Sequence, residues 1–236
     1  MLSMLLEMSV YNYAKLIGSI GCLITGVLCG AIELRKNPEY WLNRFFAMLY
    51  IFSGLGFLLY TIYHLIFSNP DVIIPIMISA QLFYNLGVGS MMMTVFILEK
   101  SQKVALNSKY LTISFLPSIL LGVAYLIWRP TLNMEKYSQG IVDTDTSTPL
   151  FIVVNFYRIG VVLYIMFRYI AISKKAKGKV KQQMKYFSKG TAVIIFGMFL
   201  NLFGGSISSI GIYLEIAGLL AFIVGLLITL KAFLIK

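Results

Sequence analysis

Six polar residues stand inside long apolar runs of this 236-residue chain: Gln81, Asn85, Asn155, Arg158, Asn201 and Glu215. Polar and ionisable groups at membrane depth are costly to keep there, and they mark ligand sites, ion paths or helix-to-helix bonds. Gln81 and Asn85 are one helical turn apart and share a face, with Tyr84 beside them. Asn155 and Arg158 share a face in the same way, and Tyr157 and Tyr164 add hydroxyls nearby. Together these groups predict a polar cavity with Arg158 as its cation and Glu215 as a possible counter-ion. The competing structural account is that Arg158 pairs with Glu215 or snorkels, while the amides tie helices together for about 1 kcal/mol or less each.

Other residues that could do chemistry point elsewhere. His64 is the only histidine, and a single imidazole makes no metal site. Placed near a span end, it is expected to be solvated. Met91, Met92 and Met93 are consecutive, so on a helix they face different directions and read as packing rather than a copper site. Cys22 and Cys29 lie one heptad apart on one helix, too far to bridge each other, and read as small packing residues. The chain contains no HExxH, no paired intramembrane aspartates and no GxSxG. Lys231 lies about 29 Å along the helix from Ile212, which is too near the span end for a chromophore Schiff base. A protein that is not an enzyme, with no cofactor and no metal, is expected.

The elements that carry these residues are membrane spans. The chain is 59% hydrophobic and 12% charged, with mean hydropathy +0.85. Soluble domains carry roughly a quarter charged residues. Half that fraction, with repeated apolar runs of about 20 residues, predicts an all-α membrane protein. Seven spans are read, over residues 11–32, 45–67, 72–98, 110–128, 150–172, 187–210 and 212–235. The start has Glu7 and no basic n-region, so its first apolar run is expected to be a retained helix rather than a signal peptide.

The orientation follows from charge. Loops after spans one, three and five hold Arg35, Lys36 and Arg44, then Lys100, Lys103 and Lys109, then the stretch 173–189 with Lys174, Lys175, Lys177, Lys179, Lys181, Lys185 and Lys189. Loops after spans two and six hold no Lys or Arg. Basic residues near span ends stay cytoplasmic, so the N-terminus is expected outside and the C-terminus cytoplasmic, in a multi-pass protein of the cell membrane. The net charge of +11 then meets anionic lipid headgroups, and no nucleic acid. Val180, Met184 and Phe187 recur at helical spacing, so span five is expected to continue as a basic amphipathic helix on the membrane surface. Glycines predict close packing: Gly26 and Gly30 within the bundle, and Gly211, Gly218 and Gly225 along one face of span seven. Residues 129–149 form the longest loop, with room for a small element outside the membrane.

The segments LRKNPEYWLNRFFAMLYIFSGLGFLLY, LFYNLGVGSMMMTVFILEKSQK and LTISFLPSILLGVAYLIW, with the lysine stretch, resemble the seven-span N-terminal sensor region of certain prokaryotic histidine kinases. The resemblance covers most of the chain in hydropathy and loop placement. It implies a membrane sensor with an outside N-terminus and a cytoplasmic C-terminus. The chain departs from it by ending after span seven, so a stand-alone sensor, a homodimer or a separate signalling partner is expected. The function expected is a receptor or sensor that binds a small ligand or lipid from the outer half. A small transporter or channel, or an accessory membrane subunit, would use the same features.

Overall fold

Apolar runs long enough to cross a bilayer must satisfy their backbone groups internally, and a helix does this within one segment. A computed structural model, which describes residues 10–65, 69–204 and 210–235, has seven such helices. They are α1 (Val10–Lys36), α2 (Trp41–Leu65), α3 (Pro70–Lys100), α5 (Ser108–Ile127), α7 (Thr148–Lys175), α8 (Gly178–Gly204) and α9 (Gly211–Leu234). A four-residue helix, α4 (Gln102–Ala105), follows α3. The chain is therefore a multi-pass, all-α membrane protein. Residues 1–9, 66–68, 205–209 and 236 lie outside the described residues. With them go Glu7, the last two residues of span two and most of the expected extension of span six.

The loop with room for an extra element contains one. Strand β1 (Thr131–Leu132) pairs antiparallel with β2 (Thr144–Asp145), and the short helix α6 (Met134–Ser138) lies between them. The Asn133 side chain caps α6 by accepting from the Lys136 amide at 3.0 Å. Lys136 Nζ donates to Asp143 Oδ2 at 2.5 Å, and the Asp143 carboxylate beside it holds the Lys136 ammonium above its ordinary range. Tyr137, Leu132 and Val142 dock this loop on the ends of α2, α3 and α7.

Neighbour packing gives a ring of six helices, α1–α2–α3–α7–α8–α9, that closes between α9 and α1. Helix α5 packs outside the ring, chiefly on α3. Its lipid-side residues Ile113, Leu116, Leu120, Leu126 and Ile127 are accordingly exposed. Small residues set the closest approaches. A Cβ on Gly26 would stand 3.1 Å from the Tyr50 carbonyl of α2, so the GxxxG of α1 serves packing within the bundle. Gly211, Gly218 and Gly225 of α9 face Gly204, Gly197 and Gly190 of α8, which is the seam expected from their spacing.

Two expectations about helix ends are corrected. Helix α7 ends at Lys175, and Gly178 reverses the chain at φ +56°. That is the left-handed region where a side chain is strained. The rest of the lysine stretch is helical, but as the first turns of α8, and it runs into the bundle. Met184 and Phe187 are buried in the core instead of lying on the membrane surface. At the first loop, α1 continues to Lys36, so Glu33 is a buried helical residue rather than a loop residue.

Candidate functional site

Inside the ring lies one elongated cavity of about 280 Å³. Among the described residues five helices line it, α2, α3, α7, α8 and α9, and none of the lining comes from α1 or α5. On α2 the lining runs from Phe46 to Tyr60, about 21 Å of helix. The polar lining gathers toward the end of the bundle that carries the β1–β2 loop: Gln81, Asn155, Arg158 and Asn201. Leu49, Phe57, Val88, Met91, Val162, Ile194, Phe222 and Leu226 line the rest. Tyr50, Tyr169 and Thr229 supply hydroxyls near the other end.

Arg158 is the centre of the polar end. It stands ten residues into α7, about 15 Å from the helix start. Its Nε donates to Asn85 Oδ1 at 2.7 Å, and Nη2 donates to Gln81 Oε1 at 2.8 Å and to the Gln81 carbonyl at 3.1 Å. The i, i+4 spacing of Gln81 and Asn85 is what lets α3 offer both acceptors to one guanidinium. The ring of Tyr84 lies 5.8 Å from the guanidinium carbon. Among the described residues Arg158 has no carboxylate within ion-pair distance. Asn155 and Asn201 line the same cavity, each amide donating once to its own helix, to the Phe151 and Gly197 carbonyls.

The predicted residues thus divide. Gln81, Asn85, Asn155, Arg158 and Asn201 come together, with Asn85 buried behind the lining and its Nδ2 without a hydrogen-bond partner among the described residues. Glu215 does not join them as the counter-ion of Arg158. It forms an ion pair at 2.7 Å with Lys15 of α1, whose side chain is only 5% exposed. Helix α9 turns Glu215 toward α1, because α1 closes the ring there. Tyr157 turns outward to bond Ser118 of α5 at 2.9 Å, and Tyr164 is exposed, so neither hydroxyl reaches the cavity. His64 is not solvated: it is 1% exposed, lies between the rings of Tyr60 and Tyr63, and Nδ1 bonds the Tyr60 carbonyl at 2.8 Å. Met91 and Met93 belong to different core clusters, as consecutive helical positions should. Both cysteines are free and fully buried.

Sequence reasoning missed α2 as a wall of the cavity, since Phe46, Tyr50 and Phe57 carry no amide or charge to single them out. It also missed Lys15. Its signal was a lysine inside an apolar run, with a glutamate in the last span as the complementary charge.

At the other end, Tyr50 bonds Thr229 at 2.8 Å and Tyr169 bonds Thr94 at 2.6 Å. Phe46 stacks on Phe187 with centroids 4.9 Å apart. Thr191 lines the cavity with its hydroxyl unpartnered among the described residues. Below this floor the side chains of Lys174, Lys175, Lys177, Lys179, Lys181, Lys185 and Lys189 are all exposed. Arg168 of α7 pairs with Glu99 of α3 at the same end. Glu33 of α1 is fully buried, with Lys36 Nζ 3.8 Å away.

Among the described residues no three His, Cys, Asp or Glu side chains converge as metal ligands. No family model matches the chain, and no curated protein matches it.

Proposed function

We propose that this is a receptor- or sensor-like protein of the cell membrane, without catalysis, that holds a small ligand beside Arg158 and reports it through the lysine stretch. In this account the N-terminus is outside and the C-terminus cytoplasmic, as the loop charges favour. The ligand arrives from the outer half. One observation carries the proposal. The cavity touches Arg158 at one end and Phe187 and Thr191 at the other, and these belong to the helix whose first turns bear Lys179, Lys181, Lys185 and Lys189. A ligand in the cavity therefore contacts the element that emerges as the basic surface. That surface suits anionic lipid headgroups and a separate signalling protein or a second copy of this chain. The hydropathy resemblance to kinase sensor regions points the same way.

The test uses Ser53→Leu, which fills the cavity from α2 about 10 Å along the helix from Phe46. In lipid nanodiscs, amide exchange over residues 178–190 is expected to change threefold or more. A change confined to α2 and α3 would sink the signalling function. A conduit is the second reading, favoured by the cavity's length, about 21 Å of a hydrocarbon core of about 30 Å. It predicts solute flux in proteoliposomes that Ser53→Leu abolishes.

A further inference from the structure

We propose that the cavity takes a single-chain aliphatic acid, its carboxylate on Arg158 and its chain extended toward Phe187. This ligand class rests on the cavity being the ligand site, as proposed above.

Charge comes first. Among the described residues Arg158 is the only charged one in the cavity lining, and its partners Gln81 and Asn85 are neutral amides. Nearby Lys15 and Glu215 pair with each other. A guanidinium at membrane depth with no carboxylate partner among the described residues calls for one negative charge. A monocarboxylate supplies one, whereas a phosphate monoester would bring close to two. The guanidinium has five N–H donors in a planar fork suited to carboxylate. Its bonds to α3 use Nε and Nη2, and the two donors of Nη1 take part in none of them. Asn155 and Asn201, in the same lining, each give one amide hydrogen to their own helix, so each amide keeps a second donor.

Shape comes second. The guanidinium and the amides sit at one end, and the lining beyond them is mostly apolar, including Val88, Val162, Ile194 and Leu226, with only the neutral hydroxyls of Ser53, Tyr50, Tyr169, Thr191 and Thr229 among them. A volume of about 280 Å³ drawn out over about 21 Å is a long, narrow slot. At about 30 Å³ per water-sized group, it accepts roughly ten heavy atoms in a row. That is an acid of medium chain length, and decanoate, with its ten carbons and two carboxylate oxygens, stands at the upper end of that range. Met91 and Met198 in the lining allow chains of somewhat different length.

The experiment titrates the full chain, in zwitterionic phosphatidylcholine nanodiscs, with decanoate and with neutral 1-decanol, read by calorimetry. Decanoate is expected to bind saturably and at least tenfold more tightly than 1-decanol. Arg158→Gln should reduce that preference below threefold. Asn85→Asp should do the same while keeping the fold, because it gives Arg158 an internal carboxylate. Equal binding of the two probes, no saturable decanoate binding, or a preference that survives Asn85→Asp would overturn the proposal. Displacement of decanoate by phosphatidylglycerol in the discs would also overturn it, by assigning the anion to membrane phospholipid. Absent decanoate binding with altered exchange at 178–190 in Ser53→Leu would fail the ligand class alone. Decanoate binding without that altered exchange would fail the signalling function alone.

Discussion

Arg158 and Lys15 are the two cations held inside the described bundle, and they meet different solutions. Lys15 receives a full counter-charge from Glu215 at 2.7 Å, with side chains 5% and 20% exposed. Arg158 receives only amide oxygens. Removing one partner of a buried pair leaves the other charge unmatched, which costs more than removing both. Lys15→Met and Glu215→Gln should therefore each lower thermal stability in detergent by several degrees, and the double variant by less than either. Additive losses would show that the pair contributes little. Helical period fixes which side chains of one helix share a face, so Gln81 with Asn85 and Asn155 with Arg158 were legible as pairs, while the packing of α3 on α7 that joins them was not. The partner of Glu215 was not legible. It depends on α9 closing the ring against α1, a contact between the two ends of the chain that no local pattern encodes. His64 was misjudged for a similar reason: position along a span does not reveal that Tyr60 and Tyr63 enclose its ring.

At the scale of elements, α8 and α9 are the tightest pair, and glycine makes them so. A Cβ on Gly197 would stand 2.9 Å from the Gly218 carbonyl, and one on Gly225 would meet Gly190 O at 3.0 Å. Gly197→Leu should push the helices apart and lower stability by about 1–3 kcal/mol, as overpacking does. It should also enlarge the cavity that α8 and α9 both line. Among the described residues nothing lies within 4 Å of where a Cβ on Gly160 would stand, so Gly160→Ala should be neutral or slightly stabilising. Unfolding in graded detergent mixtures separates the two, and similar losses would contradict the account. The heptad of glycines on α9 was readable because spacing alone places it on one face. The course of the lysine stretch was not. Its basic and apolar periodicity suits a surface helix and the first turns of a span equally well, and the break at Gly178 decides between them.

For the whole molecule, hydropathy revealed the number and order of spans, since apolar length is what a bilayer demands. It could not reveal that α5 stands outside a six-helix ring, because lipid-facing residues of a span are as apolar as those of the core. The orientation also belongs to this scale. A membrane-impermeant maleimide should label Lys136→Cys on intact cells and Lys181→Cys only after the membrane is opened, with Cys22 and Cys29 buried and silent. Labelling in the opposite order would invert the account. The central claim is that the interior holds a ligand against Arg158, and the most direct test is an experimental structure of the nanodisc-embedded protein. Elongated non-protein density touching Arg158 and running past Val162 toward Phe187 is the predicted result. A collapsed interior, with Phe57, Tyr84 and Phe222 filling the slot and Arg158 bonded only to Gln81 and Asn85, would contradict it.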